Sequence, residues 1–306
     1  MRIGVSLREP SGPDPMGGLR EQMQQAANDG FASAWMSNIF GLDALTALAV
    51  AGNQVDGIEL GTAVVPTYPR HPAALAQQAL TTAAACGGRL VLGIGVSHKI
   101  VIEDMYGYDF DRPVRHMREY LDALLPLLAD GAVDVTGTTI TAHARLTTPG
   151  ADAPPVLLAA LQPRMLELAG GLAGGTITWC TGPVTLEEQI VPLLTMAAGA
   201  AGRPAPRVVV ALPTIVTDDE ADGRAKADEQ LAGYGNIPVY RAVLDREGAA
   251  GPADVAIVGD EDAVGAQISA LSEADVTDFV AGEYGRGEDA TRTRALLRVL
   301  LREGAG

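Results

Sequence analysis

Residues 57–98 read GIELGTAVVPTYPRHPAALAQQALTTAAACGGRLVLGIGVSH, and this stretch decides the fold. It reads as strand, helix, strand. Residues 58–65 are apolar and β-branched and stop at Pro66. Pro72 stands where a first helical residue would, and residues 73–85 are an alanine-rich helical run that Gly87-Gly88 terminate. Residues 89–94, RLVLGI, then form a second buried strand. Parallel strands need a crossover of this kind, so the stretch is one βαβ unit. Anything bound is expected beyond the C-terminal ends of the strands, around residues 63–66 and 95–98.

The same alternation runs along the whole chain. Strand-like runs fall at 3–7, 33–36, 58–64, 90–94, 156–159, 176–179, 208–212 and 276–280. Helix-like segments separate them at 19–28, 44–53, 73–85, 114–128, 164–172, 186–198, 219–234 and 261–272, and 292–302 closes the chain. Eight βα units predict an α/β fold, a (β/α)₈ TIM barrel, with a doubly wound open sheet as the alternative that pattern alone leaves open. Two stretches interrupt the alternation. After the fourth strand, residues 134–146 read as a hairpin turning at Gly137-Thr138, and after the seventh, residues 235–255 are additional. Neither is long enough for a separate domain, so residues 1–306 are expected to form a single one.

Composition narrows the function classes. The net charge of −16 argues against nucleic-acid binding, which needs a basic footprint. Cys86 and Cys180 make no disulfide framework, and no metal-type Cys/His spacing surrounds them. Residues 1–7 already read as a strand and no apolar run is long enough to span a bilayer, so a cytoplasmic location is expected. The chain has no GxSxG elbow, Walker lysine motif or HExxH, which leaves hydrolase, phosphotransferase and zinc-protease readings without support.

Four short segments could carry chemistry. Gly93-Ile94-Gly95-Val96-Ser97-His98 begins like a dinucleotide fingerprint, but His98 stands where the third glycine belongs. A loop this poor in side chains can still bring backbone N–H groups close to a phosphate or a flat ring; an ordinary strand-to-helix turn reads the same way. Ala160, Leu161 and Gln162 follow a strand, and Pro163 opens the next helix, whose free N–H groups and dipole attract anions. Thr62, Ala63 and Val64 end the third strand, and Asn38 follows the second. Of the histidines, His71 precedes Pro72 and shapes a helix start, His116 lies on a helix, and His143 is in the hairpin. Glu103, Asp104, Asp109 and Asp111 read as a solvated loop that could cover the pocket, and Trp179 as a core residue.

The segments GTAVVPTYPRHPAALAQQALT, GGRLVLGIGVSH, GFASAWMSNIFGLDALTALA, DRPVRHMREYLDALLPLL and VTDFVAG together resemble the luciferase-like monooxygenase superfamily, within it the actinobacterial branch that uses the deazaflavin coenzyme F420. The resemblance implies a barrel that binds F420 at its C-terminal face and passes a hydride between the deazaflavin C5 and a small organic substrate: an activated alkene, an imine or a carbonyl. It implies that Gly95, Val96, Ser97 and His98 lie along the cofactor tail. Ala160, Leu161 and Gln162 would receive its phosphate. A non-proline cis peptide between Ala63 and Val64, beside Thr62, would back the ring. Relatives place a histidine or acid near Asn38 for proton transfer, and an asparagine cannot titrate. His98 is the histidine left to serve, either for that proton or for the phosphate. Two rival readings stand: an FMN-dependent monooxygenase on the same barrel, and a non-catalytic protein that holds a flavin or deazaflavin. Relatives often form homodimers; the apolar face at 75–80 would suit one, and core packing accounts for it equally.

Overall fold

Short β-branched and small apolar runs form β1 (Arg2–Ser6), β2 (Ser33–Met36), β3 (Glu59–Thr62), β4 (Leu90–Gly95), β5 (Val156–Leu158), β6 (Gly175–Trp179), β7 (Arg207–Val216) and β8 (Asp278–Glu283). They pair parallel in that order, and β8 returns to β1 with Arg2 opposite Asp278. Closure makes this a barrel and removes the open-sheet alternative. The structure is a computed structural model, and it describes residues 1–148 and 152–303.

The helices pack outside: α1 (Pro15–Asp29), α2 (Ala44–Gly52), α3 (Pro72–Ala85), α4 (Pro113–Ala129), α5 (Pro163–Gly171), α6 (Val191–Ala200), α7 (Glu220–Leu231), α8 (Pro238–Glu247), α9 (Glu261–Glu273) and α10 (Gly287–Glu303). Their starts follow from local chemistry. At α3, Pro72 is the first helical residue and His71 Nδ1 accepts the Ala73 N–H at 3.2 Å. The α3 face carrying Leu75, Ala76, Ala79 and Leu80 is buried in the core between barrel and helices. Cys86 is buried there too, its thiol donating to the Leu48 carbonyl.

Alternate strand residues point inward and stack in layers. The N-terminal end is plugged by ions: Arg207 Nη2 lies 2.9 Å from Glu59 Oε1 and 2.7 Å from Asp278 Oδ1. Burial opposes the charge on Arg207, but the two carboxylates outweigh it and hold the guanidinium above its ordinary range. Above this lie Trp35, Val91, Leu157, Ile177, Val209 and Val280. Trp35 is fully buried, and its Nε1–H donates to Ser33 Oγ at 2.8 Å, so the indole carries no unmet polar group. Ala63, Val64 and Trp179 pack on top of this cluster.

The two interruptions have different structures. Residues 132–145 form an antiparallel hairpin, Ala132–Thr136 with Thr141–Arg145, on the flank of α4. Glu119 of α4 fixes its turn by accepting from Thr139 N at 2.6 Å and Ile140 N at 3.1 Å. The second interruption holds more order than its sequence announces: it contains α8, and just beyond it a short strand, Ile257–Gly259, pairs with the far end of β7. β7 reaches ten residues because that partner extends its pairing past the barrel rim.

Candidate functional site

The C-terminal mouth is built on small residues. β4 ends at Gly95, where an added Cβ would stand 2.8 Å from Val64 Cγ2 and 3.1 Å from the Ala159 methyl. Val64 therefore lies flat across the end of β4, next to Ala159 at the end of β5. The Ala63–Val64 peptide bond is cis. On the opposite side, Trp179 lies over Gly282, whose added Cβ would meet the indole at 3.2 Å. Small residues and one indole thus make a flat floor between β3 and β8.

Two left-handed residues shape the loops above it: Ser97, with φ 62°, and Cys180, with φ 50°, each within two residues of a barrel strand's end. Non-glycine residues in this region are sparse and concentrate where structure serves a site. After Ser97 the chain turns back, and the His98 carbonyl accepts from Val101 N and Ile102 N at 2.9 and 3.0 Å. The His98 ring meets the Tyr240 ring of α8, with centroids 5.7 Å apart. Tyr240 packs edge-on against Tyr234, which packs edge-on against Trp179. The β7 insertion thus reaches over the ends of β5 and β6 to the loop after β4. Burial alone pushes the His98 imidazole below its ordinary value, so the ring is neutral at neutral pH.

The sequence candidates fall into three groups. Val64, Gly95 and Ala63 come together at the floor, with Val96, Ser97 and His98 on the loop rising from it. Ala160, Leu161 and Gln162 lead into α5, whose first residue is Pro163. Ala160 is buried, so it can offer only its backbone, whereas Gln162 is exposed and its side chain caps nothing. Gln189 Nε2 donates to the Leu161 carbonyl at 2.8 Å and fixes this turn from the next loop. Thr62 and Asn38 are already engaged. The Thr62 hydroxyl is fully buried and bonds both the carbonyl and the N–H of Gly93, tying β3 to β4. Asn38 Oδ1 accepts the Ala44 N–H at 3.0 Å at the start of α2, which leaves its NH₂ to donate to a ligand.

The mouth also holds residues that the sequence leaves unmarked or, like Trp179 and His116, places in the core or on a helix. A cavity of about 180 Å³ opens beside the floor between β8, β1 and α7, lined by Ser6, Arg8, Trp179, Gly282, Glu283 and Tyr284 among others. The Trp179 Nε1–H is buried without a partner among the described residues. Burial raises the Glu283 carboxyl above its ordinary range against the pull of its partner Arg294. At the end of β3, Tyr68 stacks on His116 of α4 at 3.8 Å and packs on Phe110 at 5.4 Å. His116 is buried, with Nε2 3.0 Å from Thr67 Oγ1, so this helical histidine belongs to the site's supporting wall. No short motif marks these positions; the order of strands in the barrel brings them together.

The floor fits a flat ring, because Gly95 lets Val64 and the Ala159 methyl close together at the ends of β3, β4 and β5. At the start of α5 Pro163 has no N–H and the Gln162 carbonyl takes those of Met165 and Leu166, so the Arg164 N–H and the positive end of the helix are what fit a phosphate. Among the described residues no group of three or more His, Cys, Asp or Glu side chains is placed to hold a metal ion, and no helix is long and apolar enough to cross a membrane.

The chain is 37% identical over 122 residues to a Mycobacterium tuberculosis protein provisionally named a coenzyme F420-dependent oxidoreductase, a match covering 40% of this chain and 35% of that protein. The chain thus spans about a third of that relative's length. It is 29% identical over 222 residues to the 5,10-methylenetetrahydromethanopterin reductase of Methanolobus tindarius, covering 71% of this chain and 67% of that enzyme. The solved coenzyme F420-dependent tetrahydromethanopterin reductase of Methanopyrus kandleri shares the fold with a TM-score of 0.79 at 22% identity, over 97% of each chain. The family model for luciferase-like monooxygenases matches residues 1–294, and the chain belongs to that family.

Proposed function

We propose that this protein is an F420-dependent oxidoreductase acting on a small organic substrate, an activated alkene, an imine or a carbonyl. The observation that carries the reading is the side-chain-poor floor of Val64, Gly95 and Ala159 beside the phosphate-receptive start of α5. The relative named for coenzyme F420 adds weight to the deazaflavin over FMN. When bound, the deazaflavin supplies hydride transfer at C5, and the protein supplies position and polarity.

In this reading Ala63 and Val64 support one face of the ring and leave the other open. The N–H groups of Gly95, Val96, Ser97 and His98, and those of residues 160–162, hold the phosphorylated tail. The Asn38 NH₂ donates to a carbonyl oxygen of the ring or the substrate. His98, neutral at rest, would accept a proton when the hydride leaves the substrate and, once protonated, would return it when the hydride is delivered to the substrate. Tyr234, Tyr240 and Trp179 exclude water from that side.

The test is a fluorescence titration of the purified protein with F420, run beside FMN under identical conditions. Micromolar F420 binding with much weaker FMN binding supports the proposal and leads to an acceptor screen. The reverse preference replaces it with the FMN-dependent monooxygenase, to be followed by oxygen uptake. F420 binding without turnover of any acceptor leaves a non-catalytic carrier, and binding of neither removes both cofactors.

A further inference from the structure

The rim of the mouth carries an unusual surface. Twelve large apolar side chains are exposed among the described residues, and six of them stand on two loops: Ile39 and Phe40 after β2, and Ile100, Met105, Tyr106 and Tyr108 after β4. Ile39 and Phe40 are each 60% exposed, and Met105 59%. Isolated exposed apolar residues need no explanation, but a contiguous group does. These are contiguous: Phe40 and Tyr106 have ring centroids 6.0 Å apart, and Tyr106 and Tyr108 6.4 Å.

Their position follows from strand order. β3 lies between β2 and β4, so loops from β2 and β4 that touch must pass over the end of β3. Tyr68, just past that end, holds the β4 loop down by packing on Phe110. The apolar rim therefore borders the Ala63–Val64 floor, where an acceptor would approach the open ring face.

The charges around the rim are mostly negative. Lys99 pairs with Glu103 at 3.5 Å and Arg112 with Asp111 at 3.1 Å. Asp104, Asp109 and Glu9 have no cationic partner among the described residues, and Glu9 accepts the Leu42 N–H in the β2 loop. At the rim itself, away from the N–H groups proposed for the phosphorylated tail, these carboxylates disfavour an anionic acceptor while the apolar side chains offer contact area.

We infer that Phe40 and Tyr106, with their apolar neighbours on these two loops, are the specificity-determining surface for the acceptor and select an uncharged, lipophilic one. The inference rests on the F420 reading, because it takes the floor beneath the rim to be the cofactor's seat. A second copy of the chain could cover the same surface, and the test separates the two occupants.

The probe is N-phenyl-1-naphthylamine, a neutral apolar fluorophore, titrated into the full chain beside its anionic counterpart anilinonaphthalene sulfonate. The native protein is expected to bind the neutral probe more tightly than the anionic one. Phe40→Ser and Tyr106→Ser should each weaken the neutral probe by about tenfold, the loss that one buried aromatic contact implies. Val299→Ser, at an exposed valine on α10, should leave it unchanged. Neutral-probe binding indifferent to Phe40 and Tyr106, or anionic binding as tight as neutral, overturns the inference. So does a dimer in sedimentation velocity that the Phe40→Ser/Tyr106→Ser double variant dissociates. F420 titration of the same proteins keeps the two readings apart. The rim variants should hold F420 affinity within about twofold of native, since single exposed rim contacts carry little binding energy. Native protein that binds the naphthylamine at these residues but not F420 would remove the cofactor and leave the apolar site.

Discussion

Val64 and Gly95 touch across the mouth of the barrel with no room for another carbon: a Cβ on Gly95 would sit 2.8 Å from Val64 Cγ2. That approach keeps the floor flat. Gly95→Val should push Val64 toward the bound ring, lowering F420 affinity by at least tenfold while costing about 1–3 kcal/mol of stability through overpacking. Gly265→Ala in α9 is the matched control, because its Cβ meets open space; helix propensity should make it neutral or stabilising by up to about 1 kcal/mol. Isothermal titration with F420 and chemical denaturation of both variants check this. Unchanged affinity in Gly95→Val would mean that the ring seats elsewhere.

His98 stands on the loop above that floor and is kept neutral by burial, with Tyr240 closing over it. Neutral imidazole can take a proton, which Asn38 cannot. His98→Asn should lower kcat by about a hundredfold or more with F420 affinity nearly unchanged, the signature of lost acid–base catalysis. A loss of affinity with kcat intact would instead assign His98 to the cofactor's phosphorylated tail. Steady-state kinetics beside a binding titration separates the two.

What was legible in the chain follows from the range of the interactions involved. The 57–98 unit was readable because Pro66, Pro72 and Gly87-Gly88 punctuate it locally, and the observed β3, α3 and β4 fall within those marks. The hairpin was readable because its turn and both strands are adjacent. α8 and the Ile257–Gly259 strand were not: the helix is short, and the strand exists by pairing with the overhanging end of β7, a partner about forty residues away in sequence. The site divides the same way. The glycine-rich β4 end and the start of α5 are local patterns, but His98 meets Tyr240 and Phe40 meets Tyr106 only because the strand order brings distant loops together. His116 looked like an ordinary helical residue because nothing near it in sequence shows that Tyr68 covers its ring.

That covered ring makes stability depend on pH. Burial, opposed weakly by Glu119, takes the His116 imidazole from 6.5 down to about 4. Between those values the unfolded chain binds the proton and the folded chain does not. Stability is therefore full above the unfolded value, falls as pH drops below it, and levels off near the folded value, a loss of about 3 kcal/mol. Glutamine keeps a donor for Thr67 without titrating there. Urea unfolding at pH 7, 5.5 and 4.5 should show a shallower decline in His116→Gln than in the native protein. Parallel curves would mean that His116 is protonated in the folded state and that its stacking on Tyr68 does not exclude water.

At the other end of the barrel, Arg207 joins Glu59 to Asp278, whose side chain is 1% exposed. Removing the guanidinium leaves a buried carboxylate held by Thr277 and a longer contact to Arg2 at 3.3 Å. Arg207→Met should therefore cost about 3–5 kcal/mol, the penalty of breaking a buried pair from one side. Arg207→Met with Asp278→Leu should recover much of it, because apolar replacement removes the stranded charge as well. Guanidinium unfolding of the single and double variants measures the difference. F420 affinity should not change in either, since the fully buried Trp35 layer separates this plug from the mouth. A single variant as stable as the native protein would mean that water reaches Asp278 and that the ion cluster does not seal the barrel.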